Sequence, residues 1–245
     1  MCKTCIIPLI VCLAIPILAC GPLNPLGGFG RVTGSGRMQT KEYDVAGFSA
    51  VEAGASFQVE ISQGDSFRVV VTADDNLLRS LRVERHGDTL SLGLQSMRSY
   101  NWSQPPRAQI VMPALARLEL SGAAAAILSG FRSDADLRLD LSGAARVKGD
   151  ITAGDVKADL SGGSEASLEG EALTLRADLS GGSTLALGSF PVQQATLEMS
   201  GGAQARVNVI EQLDYDLSGG SVLRYRGGPQ IGRADTSGGS RAIAE

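Results

Sequence analysis

The feature that most limits how this chain can fold is the tripeptide Ser-Gly-Gly or Ser-Gly-Ala, which recurs seven times in its second half. Successive copies begin 18 to 21 residues apart. Their serines are Ser121, Ser142, Ser161, Ser180, Ser200, Ser218 and Ser237. A period this regular is typical of repeat proteins, in which each repeat is one structural unit that stacks on the next.

Apolar and polar residues alternate before the copies of the motif. In the third copy, for example, Leu160 and Ala158 stand one and three residues before Ser161. Side chains of a strand alternate between its two faces, so these two positions should point into a core. A unit of about 19 residues cannot bury this face alone, and neighbouring units must therefore stack in register.

The sequence thus predicts an all-β fold, a parallel right-handed β-helix (β-solenoid) with coils of about 19 residues, over residues 114–245. The right hand follows the general preference of parallel crossover connections. An antiparallel sandwich is the alternative, but it gives no reason to keep one turn tripeptide constant seven times.

Residues 38–113 form a second segment, in which alternating apolar residues predict strands almost throughout. Either this segment provides the opening coils of the β-helix or it caps the helix as a separate element. The run Ala53-Gly54-Ala55 resembles a degenerate turn motif with Ala53 at the serine position. In that alignment the residue two before Ala53 is Val51, whereas the repeats carry an acid there.

The motif itself has a structural explanation. Its first glycine is present in every copy, while Ala123 and Ala144 replace the second. A positive φ or a close approach of the next coil would require glycine at the first position only. The serine hydroxyls can bond to one another or to the turn backbone. As nucleophiles they lack a base, because His86 is the only histidine and lies outside the repeats. We therefore expect neither an enzyme nor a cofactor.

Two outward columns of the repeats carry opposite charges. An acid stands two residues before every motif serine, and a base stands four residues before five of the seven. The acids are Glu119, Asp140, Asp159, Asp178, Glu198, Asp216 and Asp235, and the bases are Arg117, Arg138, Lys157, Arg176 and Arg233. An interleaved ladder of ion pairs explains both columns.

Two adjacent repeats lack the base and have Thr196 and Asp214 in its place. Glu198, Asp214 and Asp216 would then form an uncompensated acidic patch. Because oxygen-rich clusters suit Ca²⁺, this patch is a candidate for a weak calcium site. A solvated face with screened repulsion is the alternative.

A loop without repeat character, residues 96–106, holds the only tryptophan of the chain. Arg98, Tyr100, Asn101 and Trp102 combine aromatic rings with a cation and an amide, the groups that a saccharide or protein ligand would use. We predict a ligand loop here. The alternative is that Tyr100 and Trp102 fold back to cover an end of the core.

The first twenty residues have the order of a bacterial lipoprotein signal, with Lys3, an apolar run from Ile6 to Ala19, and then Cys20. Residues 1–19 are predicted to be a signal peptide, since the apolar run is short for a permanent membrane span. The residues Ile17-Leu18-Ala19-Cys20 resemble a lipobox, in which the cysteine carries lipid. An ordinary signal peptide with an incidental cysteine is the alternative.

Cleavage before Cys20 would remove Cys2, Cys5 and Cys12, so the mature chain would have no disulfide. Residues 20–37 are rich in glycine and proline and predict a flexible tether behind the anchor. Gly21 stands where an inner-membrane retention signal would resemble aspartate, which favours the outer membrane.

Several segments resemble the bacterial head GIN domain family, labelled putative auto-transporter adhesins. The likeness runs from about Gly47 to Ala244. It rests on Phe48-Ser49-Ala50-Val51, the Gly54 turn, Val59-Glu60-Ile61, Asp75-Asn76-Leu77-Leu78 and Leu118-Glu119-Leu120-Ser121-Gly122-Ala123 with its successors. The resemblance implies an exported, β-helical, non-enzymatic domain.

These features predict an exported, lipid-anchored envelope protein, held in a membrane through Cys20, that acts in adhesion or envelope binding on a glycan or a surface protein. A net charge of −4 without a basic stripe argues against nucleic acid as a partner. One alternative is a structural envelope component that forms a homo-oligomer through an uncovered C-terminal β edge. A polysaccharide-acting β-helix enzyme is less favoured, because the acids are spread one per coil and not gathered in a cleft.

Overall fold

The computed structural model describes residues 31–95 and 99–245, so Cys20 and Arg98 lie outside the described residues. Residues from Arg31 onward form one unit, and its described part contains nineteen β-strands and a single 3₁₀ turn, Leu78–Ser80. In these two ranges no helix is long and apolar enough to cross a membrane.

The strands before the repeats are short. In chain order they are β1 (Val32–Thr33), β2 (Met38–Tyr43), β3 (Ala50–Ala53), β4 (Gln58–Gln63), β5 (Arg68–Asp74), β6 (Leu81–His86), β7 (Thr89–Leu94), β8 (Tyr100–Asn101) and β9 (Arg107–Met112). The predicted alternation is visible in β4, which buries Val59 and Ile61 and exposes Gln58 and Glu60.

Longer strands build the repeats. They are β10 (Arg117–Leu120), β11 (Ala125–Arg132), β12 (Leu137–Leu141), β13 (Arg146–Leu160), β14 (Glu165–Leu179), β15 (Thr184–Met199), β16 (Gln204–Leu217), β17 (Val222–Arg226), β18 (Gln230–Thr236) and β19 (Arg241–Ala244). The pattern predicts a looser return between one repeat and the next, but β13 to β16 continue as single strands of 14 to 16 residues between motifs. In β14, Gly170 at φ 113° allows the strand to bend around the core.

Successive coils pair in parallel and in register, which confirms the predicted solenoid with coils of about 19 residues. The β13–β14 pairing, for instance, runs from Arg146 opposite Glu165 to Leu160 opposite Leu179. The motif turns stack as well, because the N–H at each second-glycine position donates to the carbonyl oxygen at the first-glycine position of the preceding coil. The distance from Gly182 N to Gly162 O is 2.8 Å.

The two predicted inward columns form the core of the stack. Their buried members are Leu118, Leu120, Leu139, Leu141, Ala158, Leu160, Ala177, Leu179, Leu197, Met199 and Leu217. Tyr215 is half-buried, and Ala234 and Thr236 of the last coil are exposed because no further described coil covers them.

The segment β3–β4 is one more coil of the same stack, since β3 pairs in parallel with β10 and β4 with β11. The predicted alignment of its turn is wrong by one residue. Leu120 pairs with Ala53, which places Gly54, and not Ala53, opposite Ser121. The acid of this coil is therefore Glu52, and Ala55 adopts the positive φ, 58°, of the motif glycine.

The strands β7 and β9 add a further coil, with β7 on β3 and β9 on β4 in parallel. Antiparallel strands then follow, β6 on β7, β5 on β9 and β2 on β5. Their apolar side chains, including Val69, Val71 and Val83, are buried. The strands before the repeats thus extend the stack and also cover one end of its core.

Residues 31–37 lie within the predicted flexible tether, yet they are attached to the folded body. The strand β1 pairs in parallel with β8. The side chain of Asn76 donates to Thr33 O at 2.9 Å and accepts from Ser35 N at 3.0 Å. Glycine-rich composition predicts a lack of regular structure, and it does not reveal partners that lie more than 40 residues away.

Candidate functional site

The predicted ligand loop replaces a motif turn in the coil formed by β7 and β9. In the neighbouring coil of β3 and β4, the three residues 54–56 make the corresponding connection. Leu92 pairs with Ala53, and the chain rejoins the stack only at Pro106, so the connection here takes 13 residues, 93–105. We call residues 99–105 of this connection the aromatic loop. Insertions into solenoid repeats map to loops on one face, which is often the binding face.

Two aromatic rings stack within this loop. The ring centroids of Tyr100 and Trp102 are 5.8 Å apart, with their planes at 28°. Both residues are half-buried, and Trp102 also packs against the core, as the alternative interpretation expects. Asn101 is exposed, and its Oδ1 accepts a hydrogen bond from Arg31 at 3.3 Å. The loop therefore presents part of a fixed aromatic surface, and the role of Arg98 stays a prediction.

A buried carboxylate holds the aromatic loop in place. Asp74 accepts hydrogen bonds from Ser103 Oγ at 2.5 Å, Ser103 N at 3.0 Å and Gly36 N at 2.9 Å. Desolvation disfavours the charged form, but these hydrogen bonds outweigh it and lower the pKa of the Asp74 carboxyl. A Cβ at Gly34 would lie 2.2 Å from Asp74 Oδ2, so the N-terminal segment passes too close for a side chain. One charged group thus joins this segment to the loop.

The outward columns of the repeats form the predicted ladder of ion pairs. Arg138 Nη2 lies 2.7 Å from Asp140 in its own coil and 2.6 Å from Asp159 in the next. Desolvation raises the pKa of Asp140, but Arg138 and Arg117 outweigh this effect and lower it. Exposed pairs of this kind are each worth little free energy, so we interpret the ladder as support for the stack and not as a binding site.

In the acidic patch predicted at Glu198, Asp214 and Asp216, two of the three carboxylates have basic partners, so the patch is less isolated than the calcium prediction assumes. Arg176 reaches Glu198 from the preceding coil at 3.3 Å, and Arg233 reaches Asp216 from the following coil at 2.9 Å. The Asp214 carboxyl accepts the backbone N–H of Arg233 at 2.6 Å. A base can form an ion pair with the acid of an adjacent coil. An acid can therefore be paired even where its own coil has no base. Among the described residues, no group of three or more His, Cys, Asp or Glu could hold a metal ion.

Within the described ladder, Asp178 is the acid that has no ion pair, because Lys157 pairs with Asp159 and Arg176 with Glu198. Asp178 instead lies opposite Asp159 in the adjacent coil. Burial, together with the neighbouring carboxyl of Asp178, raises the pKa of the Asp159 carboxyl in spite of the nearby Lys157.

The motif serines have structural partners. Ser161, Ser218 and Ser237 each donate from Oγ to a carbonyl of the preceding coil, at 3.3 to 3.5 Å. His86 lies in β6 and contacts Glu84 at 3.4 Å. These hydroxyls thus link the turn of one coil to the coil that precedes it.

A shallow groove of about 540 Å³ lies over β4, β5 and β9. It is lined by Glu60, Arg68 and the exposed Ile127, among others. Its charged groups already bind neighbours, since Arg68 donates to Glu42 at 3.0 Å and Glu60 accepts from Gln109 at 3.2 Å. The aromatic loop is therefore the stronger candidate for a binding site.

Comparison with known families decides the classification of this chain. A family model described as "putative auto-transporter adhesin, head GIN domain" matches residues 47–229. The chain belongs to this family. Membership confirms the predicted resemblance, and the family description indicates a non-enzymatic, adhesin-like role and a surface or exported protein. A search of curated protein sequences finds no significant match.

Crystal structures share the fold of this head GIN domain. A putative adhesin from Bacteroides fragilis is 18% identical, with a TM-score of 0.77, over 87% of this chain and 97% of its own. A putative lipid binding protein from Parabacteroides distasonis is 19% identical, with a TM-score of 0.71, over 88% of this chain and 100% of its own. A putative adhesin from Parabacteroides merdae is 15% identical, with a TM-score of 0.67, over 88% and 99%. At these identities the likeness establishes the fold.

The structure of this head GIN domain also identifies residues that sequence patterns miss. Asp74 meets Ser103 and Gly36 across 29 and 38 residues of chain, between segments that have no periodicity. The single usable signal is that Asp74 ends an apolar strand, where a charged side chain is usually solvated.

Proposed function

We propose that this head GIN domain protein is a lipid-anchored, non-enzymatic adhesin of the bacterial cell envelope that binds a glycan or a surface protein through the aromatic loop. The observation that carries the proposal is the insertion between β7 and β9, which takes 13 residues where the next coil uses three. The stack does not need these residues to close its turn. Loops held on a rigid scaffold are where binding residues concentrate.

The aromatic loop is also preorganised, which favours binding. Asp74 holds Ser103 on one side of the ring pair, and the β1–β8 pairing holds the other side. Because the Tyr100–Trp102 stack is already ordered, a ligand would lose little entropy in using it. Aromatic rings offer flat apolar area, and Asn101 adds an amide for hydroxyl or backbone groups.

The anchor in this proposal is a lipid on Cys20, supported by the lipobox-like residues Ile17–Cys20 and by the surface or exported character of the family. Stable anchoring requires more than one acyl chain or an additional membrane signal. The residue Gly21 favours the outer membrane over the inner one. The proposal includes no cofactor.

A glycan array and a matched surface-protein array test the aromatic loop. We expect the wild type to bind one ligand class, and Tyr100→Ala and Trp102→Ala to bind it about tenfold more weakly, as the loss of one ring contact worth roughly 1–1.5 kcal/mol implies. Tyr225→Ala is the matched control, because Tyr225 is a half-buried tyrosine near the opposite end of the stack.

Thermal melting of every variant separates binding from folding, since Trp102 also packs against the core. A variant that melts like the wild type and no longer binds supports the proposal. Full binding by both loop variants, or an equal loss in Tyr225→Ala, contradicts it.

A second experiment addresses the anchor alone. Cys20→Ser is expected to abolish the acyl mass and the membrane association of the protein expressed in a bacterial host. Cys12→Ser, a change within the predicted signal peptide, should leave both unchanged. Acylation of the Cys20→Ser protein would contradict the proposed lipid on Cys20. It would have no bearing on ligand binding by the aromatic loop, which the arrays test separately.

A further inference from the structure

The last coil of the stack has a bonded neighbour on one side only. Among the described strands, β18 pairs with β16 alone and β19 with β17 alone. All seven residues of β18 are exposed, including Ala234 and Thr236 at its inward positions. Both the backbone edge and the end of the core are therefore open.

The opposite end of the stack is built differently. The strands β6, β5 and β2 add antiparallel pairs there and bury Leu81, Val83 and Val69 over the core. Repeat proteins require such end covers for solubility, and an uncovered edge is a template for another strand. Among the described residues, β18 and β19 are therefore the strands that leave inward positions of a coil uncovered as well as a backbone edge unpaired.

The sequence of β18 is complementary to itself in an antiparallel pair. If Ala234 faces Ala234 of a second copy, Arg233 of each copy faces Asp235 of the other. Directly opposed residues of unlike charge stabilise such pairs. The side chains of Arg233 and Asp235 are 67% and 59% exposed, so both are accessible to a partner although they also contact each other at 2.6 Å.

We propose that the C-terminal coil binds a second copy of this chain through antiparallel pairing of β18, centred on Ala234, and so forms a two-fold symmetric dimer. The aromatic loop belongs to the coil of β7 and β9 near the other end of the stack. A dimer would therefore carry one aromatic loop at each of its far ends. The proposal does not depend on what that loop binds, nor on the lipid.

Charge reversal provides the first test. Sedimentation equilibrium of the full chain in a mild detergent should give a dimer at high concentration for the wild type. Arg233→Asp and Asp235→Arg each place like charges opposite one another and should give monomers. The double variant Arg233→Asp/Asp235→Arg restores unlike charges and should restore the dimer.

Circular dichroism melting shows that each variant is folded. A wild type that stays monomeric at the highest concentration overturns the proposal. Dimers that persist undiminished in both single variants overturn it as well.

Disulfide trapping tests the register. In the proposed pairing, position 234 faces itself at a Cα separation of about 4.5–5.5 Å, which is within disulfide reach, whereas position 236 faces position 232. Mild oxidation should thus cross-link Ala234→Cys but not Thr236→Cys, with peptide mapping to exclude bonds through the natural cysteines. Equal cross-linking of both variants, or none in Ala234→Cys, contradicts the pairing.

Discussion

At the scale of single residues, the first motif glycine has little conformational freedom. Gly181 has φ 70°, and an added Cβ would lie 2.9 Å from Gly162 O. For Gly182 the corresponding distance is 3.8 Å, an ordinary contact. This difference explains why Ala123 and Ala144 occur at the second position, and it follows the pattern that the sequence predicts.

A pair of substitutions tests this difference. Gly181→Ala should lower the free energy of unfolding by about 1–2 kcal/mol or more, because alanine must adopt a left-handed conformation against the carbonyl of the preceding coil. Gly182→Ala serves as the control and should stay within about 0.5 kcal/mol of the wild type. Urea unfolding of both variants provides the measurement, and equal losses would contradict the explanation.

Asp74 gives a residue-level prediction that depends on pH. Its pKa is lowered in the folded protein from the ordinary 3.8, so its charged form contributes stability above that value, and the contribution disappears as the pH falls through the folded pKa. Asp74→Asn should cost about 1–3 kcal/mol near neutral pH, since the buried donors of Ser103 and Gly36 lose a charged acceptor.

Thermal melting of wild type and Asp74→Asn from neutral to acid pH measures this effect. The difference between them should shrink below pH 3.8. The neighbouring substitution Asp75→Asn, at a more exposed carboxylate that binds Ser35, is the control and should cost less. A difference between wild type and Asp74→Asn that does not change with pH would rule out the charged form as its cause.

At the scale of strands and turns, the sequence predicts the features that recur in every coil and misses the features that occur only once. The inward columns and the ion-pair ladder follow from period and alternation, because each coil imposes the same environment on its neighbours. The turn of the β3–β4 coil escapes the pattern by one residue, since Ala55 replaces the motif glycine and Gly54 the serine. The attachment of residues 31–37 and the position of the aromatic loop depend on single long-range contacts, which leave no period.

Two buried serines provide a prediction at this scale. Ser183 Oγ and Ser221 Oγ have no hydrogen-bond partner among the described residues, although both side chains are fully buried. Ser183→Ala and Ser221→Ala should therefore leave stability unchanged or raise it by about 1 kcal/mol, because an unsatisfied buried hydroxyl is costly.

The equivalent Ser164 is the matched control, since its hydroxyl donates to Leu141 O at 3.4 Å. Ser164→Ala should gain less than the other two or lose stability. Chemical denaturation compares the three variants. A clear loss in Ser183→Ala and Ser221→Ala would show that their hydroxyls have a partner, such as a buried water.

At the scale of the whole molecule, each coil of the repeats contacts mainly the coils before and after it, so stability should be close to a sum over coils. Deletion of residues 161–179 removes one 19-residue period and joins Leu160 directly to Ser180, which restores an intact turn. We expect the shortened chain to fold with an unchanged β-type circular dichroism spectrum and to lose about 1–3 kcal/mol, the share of an average stretch of this length.

A deletion that leaves the period broken is the control. Removal of residues 161–170 deletes one motif turn and leaves only residues 171–179 of that coil, which are too few to close a coil, and this chain should not fold. If both deletions behave alike, register between coils is not what specifies the fold.

The parallel, in-register pairing of adjacent coils also has a kinetic consequence. A repeat near the C-terminus requires as its template only the coil that precedes it in the chain. Once the antiparallel strands and the first coils have formed, each newly synthesised segment of about 19 residues can add to a finished surface. The chain can therefore fold in the order in which it is made, and only its growing end exposes an unpaired strand at any moment.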